Sequence, residues 1–361
     1  MKRTNTAVWI DSRGRWQINV QKDGIRKTFT SSKPGRTGQR EANAKADKWL
    51  DEGVENAKTK VSEIYDKYIA DLQLKTSSGN CRNNETIYNT WISSAIGKMR
   101  IANVTELQLQ EIIDKAYAKG LSHKTLSNIR GCINAIFKYA RFCKATSLNP
   151  EHLTIPQNAP RKEKRILQPS DLQKLFQSDE TLHKGKVISD PYINAYRFQV
   201  LTGLRPGELI GLRWEDITDG VVRIKRAINV RGEVTSGKKE NARREFALNI
   251  FTNAIIERQK EANPYEGYVF SPDGFPIKES TYYKNWNRYR DYNNLSAAAS
   301  PYELRHTFVS VVKTLPEGYI KQLVGHSKDM DTYGVYSHKM QSDLNDTARM
   351  VQEIFKSILA V

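Results

Sequence analysis

Cysteine is scarce in this sequence. Cys81, Cys132 and Cys143 are its only three, which fit neither a disulfide framework nor a zinc site. No apolar run approaches the ~20 residues that cross a bilayer, and the mean hydropathy is −0.63. The first residues, Met1-Lys2-Arg3-Thr4-Asn5, lack the apolar stretch of a secretory signal. There is no Gly-x-x-x-x-Gly-Lys-Ser/Thr loop for a nucleotide triphosphate. Secreted, disulfide-stapled and membrane classes are therefore excluded, and a cytoplasmic protein is expected. Acids are the last shortage: 40 Asp and Glu against 57 Lys and Arg leave a net charge of +17. A surplus of that size favours a polyanionic partner, above all nucleic acid.

What is present fills 361 residues, enough for two or three domains. Residues 1–40 hold ten Lys and Arg against two acids. Trp16, Ile18 and Val20 alternate with polar residues, and Asp23-Gly24 is a hairpin signal before Ile25–Thr30. Ala7–Asp11 turns at Arg13-Gly14 into the same sheet. Ala42, Ala46, Trp49, Leu50 and Val54 then follow helical spacing. The pattern predicts a three-stranded sheet backed by one helix. Its basic residues, among them Arg13, Arg15, Lys22, Arg26 and Lys27, are expected on the outer face, where a sheet can enter a DNA groove.

Residues 58–160 read as helical. Ile64, Tyr68, Leu72 and Leu74 mark one helix, Tyr88, Trp91 and Ile92 a second, and Leu107 to Ala118 a third. The longest runs from Ser122 through Cys143, with Leu126, Ile129, Ile133, Ile136, Phe137 and Ala140 on one stripe. Cys132 and Cys143 read as core filling. Lys124, Arg130, Lys138, Arg141 and Lys144 give this helix a basic face, either simply solvated or a second contact for DNA. Asn149-Pro150 closes the segment. The linker that follows carries Arg161 and Lys162. The third segment, 161–361, opens with an N-cap at Ser170-Asp171 and is mostly helical. One strand region, 221–248, interrupts it.

Four stretches of this last segment concentrate groups able to act on a phosphate. They are Thr202-Gly203-Leu204-Arg205-Pro206-Gly207-Glu208-Leu209, Ser300-Pro301-Tyr302-Glu303-Leu304-Arg305-His306-Thr307-Phe308, Leu323-Val324-Gly325-His326-Ser327 and Tyr333-Gly334-Val335-Tyr336-Ser337-His338. Gly203 ends one helix, Pro206 suits the first turn of the next, and Ser300 with Glu303 forms a capping box. Taken singly, an Arg at a helix junction is a surface or ion-pair residue. In this order and spacing, the four closely resemble the tyrosine recombinases of the phage and conjugative-transposon integrase type.

The resemblance implies a multidomain, mainly α fold with small β elements. It comprises an arm-site-binding sheet domain (1–57), a helical core-binding domain (58–160), and a mixed α/β catalytic domain (161–361) ending in an exchange helix. It makes Arg205 and Arg305 the catalytic arginines, Glu208 their supporting acid, His326 the third-box histidine and Tyr336 the nucleophile, with Tyr333 its rival. Lys238, with Lys239 as alternative, matches the family's hairpin lysine. Tyr302 stands where the family most often has histidine. Its hydroxyl can bond a phosphate oxygen but stays neutral near pH 7. His306, next to Arg305, is expected on another helical face. DNA contacts are expected from Arg13, Arg15, Lys22, Arg26, Lys27, Lys124, Arg130, Arg161 and Lys162.

The chemistry so implied is transesterification through a 3′-phosphotyrosyl bond, with no cofactor and no metal, because guanidinium and ammonium groups supply the positive charge. Its partners would be double-stranded DNA at core-type and arm-type attachment sites, and three further protomers in a tetramer. An excisionase and a host DNA-bending protein are candidates beside them, in a bacterial host cell. The alternatives are a DNA-binding regulator with a degenerate site and a type IB topoisomerase-like activity.

Overall fold

A computed structural model describes residues 5–22, 25–51, 59–161, 165–235, 244–296, 300–325 and 341–359. The chain forms two compact units, Met1–Lys162 and Glu163–Val361.

In the first unit, β1 (Val8–Ile10), β2 (Arg15–Lys22) and β3 (Ile25–Ser31) form an antiparallel sheet in that order. Helix α1 (Gly35–Asp51) covers one face. Ala7, Ile18 and Val20 bury against Ala42, Ala46 and Leu50, so even-numbered positions of β2 face the helix. Residues opposite one another share a face, which places Ser31, Phe29 and Lys27 with Trp16, Ile18 and Val20. Gln17, Asn19, Gln21, Arg26, Thr28 and Thr30 form the other face.

That register corrects the expected outer placement of two lysines. Lys27 lies 5.6 Å from the centroids of both the Phe29 and Trp49 rings. Lys22 donates to the Trp49 carbonyl at 3.5 Å. Both fall on the helix side because their positions keep step with Val20, and their long stems cover the edge of the small core. Arg13 and Arg26 are exposed and Arg15 is half-buried. The Asp23-Gly24 turn and Val54 lie outside the described residues.

The rest of this unit is helical around its own core. It contains α2 (Val61–Lys75), α3 (Ser78–Ile87) running through a π turn (Tyr88–Ile92) into α4 (Ser93–Ile96), α5 (Glu106–Ala118) and α6 (His123–Phe142). Leu74 is 86% exposed and does not belong to the α2 stripe. The six apolar residues expected on α6 are all buried. Ser122 caps this helix through the Thr125 amide at 3.4 Å. Lys124 and Lys138 are exposed, whereas Arg130 and Arg141 donate to the carbonyls of Leu153 and Leu148 at 3.3 and 3.0 Å. Those two arginines fasten the following segment to the helix. Arg161 is exposed.

The second unit begins with α7 (Pro169–Gln177). Its N-cap is Gln168, whose amide donates to Asp171 at 2.9 Å. The helix thus starts before the expected Ser170-Asp171 cap, because Pro169 suits its first turn. A hairpin absent from the sequence reading follows, β4 (Glu180–His183) and β5 (Lys186–Ser189). Its turn uses Lys184 and Gly185, both at positive φ. Next come α8 (Ile193–Thr202), α9 (Pro206–Ile210), and the strands β6 (Ile217–Thr218), β7 (Val221–Ile224), β8 (Ala227–Ile228), β9 (Val234–Thr235) and β10 (Arg244–Ala247). Strands β10, β7 and β6 form one antiparallel sheet, and β8 pairs with β9.

The unit closes with α10 (Ile250–Ala262), α11 (Glu279–Tyr292), α12 (Tyr302–Val311), α13 (Glu317–Val324) and α14 (Gln341–Leu359). The helices and the strands β7, β8 and β10 share a core in which α8, α11 and α12 contribute Tyr196, Phe198, Tyr282, Trp286 and Phe308. Helix α14 belongs to the same core. Val351 and Phe355 are buried, and the Phe355 ring lies 6.3 Å from Phe308. The element that the resemblance makes the exchange helix thus packs its Val351 and Phe355 in the core of its own unit.

Candidate active site

Three chain segments converge on one carboxylate. Helix α8 ends at Gly203, whose φ of 66° is left-handed. A Cβ there would lie 2.4 Å from the Phe308 ring, so both backbone and packing call for glycine. The chain then re-enters a helix at once. Arg205 is the N-cap of α9, Pro206 takes N1, and Glu208 at N3 accepts from the Arg205 amide at 2.9 Å. The same carboxylate accepts from Arg205 Nη1 at 2.8 Å. One short helix start thus sets acid and guanidinium together.

Opposite them stands Arg244, the first residue of β10. Its Nη1 and Nη2 donate to the two oxygens of Glu208 at 3.0 and 2.8 Å, a bidentate pair. Arg305 comes from the first turns of α12, whose N-cap is Pro301 rather than the Ser300 of the expected capping box. Ser300 Oγ accepts from the Tyr302 amide at 3.2 Å. Arg305 Nη1 donates to the Gly203 carbonyl at 2.8 Å, and its Nη2 to the Val324 carbonyl at 2.6 Å. The three guanidiniums therefore outnumber the carboxylate they surround.

The electrostatics follow. Burial works against the Glu208 carboxylate, but Arg244 and Arg205 overcome it and hold its pKa at about 2. Burial, with the Arg205 charge added, lowers Arg305 to about 10. Arg205 loses to burial but gains more from Glu208 and from Tyr302, so its pKa stays above the ordinary value. Tyr302 lies close enough to that guanidinium to act on it electrostatically. Arg205 and Tyr302 are the open edge of the cluster, with side-chain exposure of 33% for Arg205 and residue exposure of 38% for Tyr302. Arg305 and Glu208 are buried.

His306 does not point away from this edge as expected. Its ring centroid is 5.3 Å from that of Tyr302, because residues four apart share a helix face. Arg205, Glu208, Tyr302 and Arg305 are thus brought together. Lys238, with its alternative Lys239, His326, Tyr336, with its rival Tyr333, and Lys162 lie outside the described residues. Arg244 was missed by the sequence reading. The available signal was its alternation with Phe246, which places an arginine at an inward strand position.

The arrangement can grip an anionic tetrahedral group at its open edge, since its positive charge exceeds its negative charge. Residues 165–342, which include all four of its charged members, match the Phage integrase family. Residues 60–117 match the phage integrase N-terminal SAM-like domain. The chain belongs to the phage integrase family. It is a tyrosine recombinase.

Individual relatives are distant but long. The recombinase is 24% identical over 308 residues to the ICEBs1 integrase of Bacillus subtilis (strain 168), covering 80% of this chain and 81% of the relative. It is 22% identical over 389 residues to a XerC-like tyrosine recombinase of Caldanaerobacter subterraneus subsp. tengcongensis, with 94% and 96% covered. Among solved structures it resembles the Tn1549 transposon integrase in complex with a circular intermediate DNA. There the TM-score is 0.66 at 21% identity, over 82% of this chain and 99% of that one. A lambda integrase tetramer bound to a Holliday junction gives a TM-score of 0.59 at 17% identity, over 92% and 97%. At these identities the likeness establishes the fold.

Proposed function

We propose that this recombinase integrates and excises a mobile DNA element by cutting and rejoining DNA through a 3′-phosphotyrosyl intermediate. The observation that carries the reading is the convergence of Arg205, Arg305 and Arg244 on Glu208, with Tyr302 beside Arg205 at the open edge. In this reading the Tyr336 hydroxyl attacks the scissile phosphorus. The Tyr336 Oη–P bond forms, the P–O5′ bond breaks, and the phenolic proton passes to solvent. Lys238, or Lys239, gives a proton to the leaving 5′-oxygen. A 5′-hydroxyl from the partner strand then reverses the step, so the phosphotyrosyl bond conserves the energy of the phosphodiester.

Arg205 and Arg305 stabilise the charge that develops on the nonbridging oxygens, with planar forks that remain protonated throughout. His326 assists at the same oxygens, Tyr302 adds a hydrogen bond, and Glu208 orients Arg205 without reaching DNA. The division into arm-binding sheet, core-binding helices and catalytic domain belongs to this proposal. So do the attachment-site DNA, the tetramer, an excisionase, a host bending protein and a bacterial cytoplasm. Separate apolar clusters in the sheet module and the helical part of the first unit support the division.

A duplex of the element's end sequence, nicked beside the cleavage position, tests the reading. The full chain should leave a covalent protein–DNA band that Tyr336→Phe abolishes. A band that persists in that variant and disappears in Tyr333→Phe would reassign the nucleophile. No band from the unaltered chain would overturn the phosphotyrosyl reading.

A further inference from the structure

Arg244 lies outside all four motif stretches, yet it joins two parts of the site that they supply. Its side chain is 5% exposed. While its two η nitrogens hold Glu208, its Nε donates to the Leu323 carbonyl at 2.7 Å. Leu323 is the first of three consecutive residues at the end of α13 whose carbonyls each receive a different arginine. Val324 takes Arg305 at 2.6 Å and Gly325 takes Arg205 at 3.2 Å. A helix end leaves its last carbonyls without intrahelical donors and partly negative. Here Gly325, at φ 63°, ends the helix, and three guanidiniums take over as donors.

Among these three, Arg244 grips both the carboxylate and the helix end and is sealed from solvent. We propose that Arg244 is a positioning residue of the recombinase, fixing Glu208, and through it the Arg205 fork, against the end of α13. The inference rests on the recombinase reading of this same site and adds a fourth charged member to it. Arg244 does not touch the phosphate. It sets the distance and direction from which Arg205 does. Lysine could keep the charge, but one ammonium cannot reproduce a bidentate grip and a carbonyl contact together.

Removing Arg244 has a signature that loss of folding does not. The charged groups facing Glu208 are Arg205 on α9, Arg244 on β10 and Arg305 on α12, with Tyr302 beside Arg205. Without Arg244, burial acts on Glu208 with less opposition, and the carboxyl takes up a proton at a higher pH. Cleavage then depends on pH through a group that is silent in the unaltered protein.

The experiment measures covalent-complex formation by the full chain on the nicked duplex from about pH 5 to 8. Arg244→Met should slow cleavage about 10²-fold near neutral pH, the effect of a misplaced reacting group. It should also show a further fall toward acid pH, with unchanged affinity for duplex DNA. Arg244→Lys should recover part of the rate. Combining Arg244→Met with Glu208→Gln should be no slower than the worse single variant and should lose the acid-side fall. Losses in Arg244→Met and Arg244→Lys that are equal, independent of pH and additive with Glu208→Gln would overturn the inference. So would wild-type rates and pH profile in Arg244→Met. If the unaltered chain forms no covalent complex, the recombinase mechanism falls and this inference with it. If it does and Arg244→Met matches it, only the role of Arg244 fails.

Discussion

The N-terminal sheet and the arginine cluster are both rich in positive charge, and they hold it in opposite ways. On the sheet, Arg13 and Arg26 are exposed, with water as their main solvent. In the cluster, Arg305 and Arg244 are buried, and backbone carbonyls and one carboxylate replace water. Solvated charge acts at a distance, is screened by salt and tolerates changes of geometry. Desolvated charge is insensitive to salt and intolerant of any change in the direction of its donors. One region is therefore suited to attracting a polyanion, the other to acting on a single phosphate.

An arginine-to-lysine exchange should separate the regions most sharply. Arg305→Lys keeps the charge but not the two carbonyl contacts. Cleavage of the nicked duplex should fall about 10²–10³-fold, the usual cost of one preorganised donor, while duplex affinity stays near wild type. Arg26→Lys should change neither. Equal tolerance at both positions, measured by covalent-complex rate and gel shift, would break the comparison.

Acid stability gives the next largest contrast. Glu208 and Glu41 are both held at a pKa of about 2, Glu208 against burial by Arg244 and Arg205, and Glu41 by hydrogen bonds from Lys45 and Lys33. A carboxyl with a depressed folded-state pKa stabilises above its ordinary value of 4.5, and that contribution fades as pH falls towards 2. For buried Glu208 the difference is on the order of 3 kcal/mol. Urea titrations of the full chain at a series of pH values should show Glu208→Gln flattening the acid limb, in low salt and at about 1 M salt alike. Half-buried Glu41, whose partners Lys33 and Lys45 are exposed, should lose its contribution once salt is added.

Two glycines offer a smaller test of how tightly each region is packed. Gly14 in the sheet module and Gly203 in the cluster both have left-handed φ, 55° and 66°. An added Cβ meets nothing within 4 Å at Gly14 but lies 2.4 Å from the Phe308 ring at Gly203. Alanine should cost about 1–2 kcal/mol of backbone strain at either site. Gly203→Ala should add a packing loss, so its melting temperature should fall further. Equal shifts would mean that Phe308 can move aside.

The same division explains what could be read before the structure. The α6 stripe, the sheet with its helix, and the Arg205–Glu208 spacing are local patterns, and each is written within about twenty residues. Arg244 draws its meaning from Glu208 and Leu323, which are 36 and 79 positions away, so its alternation with Phe246 could turn it inward but not name its partners. Lys22 and Lys27 were misplaced for a different reason. Charge suggested the outer face, but strand register assigned them to the face of Val20, where Lys27 stays exposed. The β4–β5 hairpin escaped because Leu182, Val187 and Ile188 remain exposed, leaving no buried face to enforce an alternating pattern. Tyr302 and His306 share a face by ordinary helical spacing, which was legible and was misread.

Register also yields the subtlest prediction, between neighbouring residues of one strand. Arg26 pairs with Gln21 on the open face, and Lys27 pairs with Val20 on the helix side. If the open face meets DNA, Arg26→Ala should reduce the slope of log affinity against log salt by about 0.9, the value of one released counterion. Lys27→Ala should leave that slope alone and instead lower the stability of the sheet module. Its ammonium lies over two aromatic rings, a contact worth about 0.5–1 kcal/mol at an exposed site. Duplex-binding isotherms of the full chain across a salt series, paired with thermal melts, distinguish the two. A slope change at Lys27 with none at Arg26 would mean that DNA approaches over α1, and that the polar face of Gln17, Asn19 and Gln21 has another purpose.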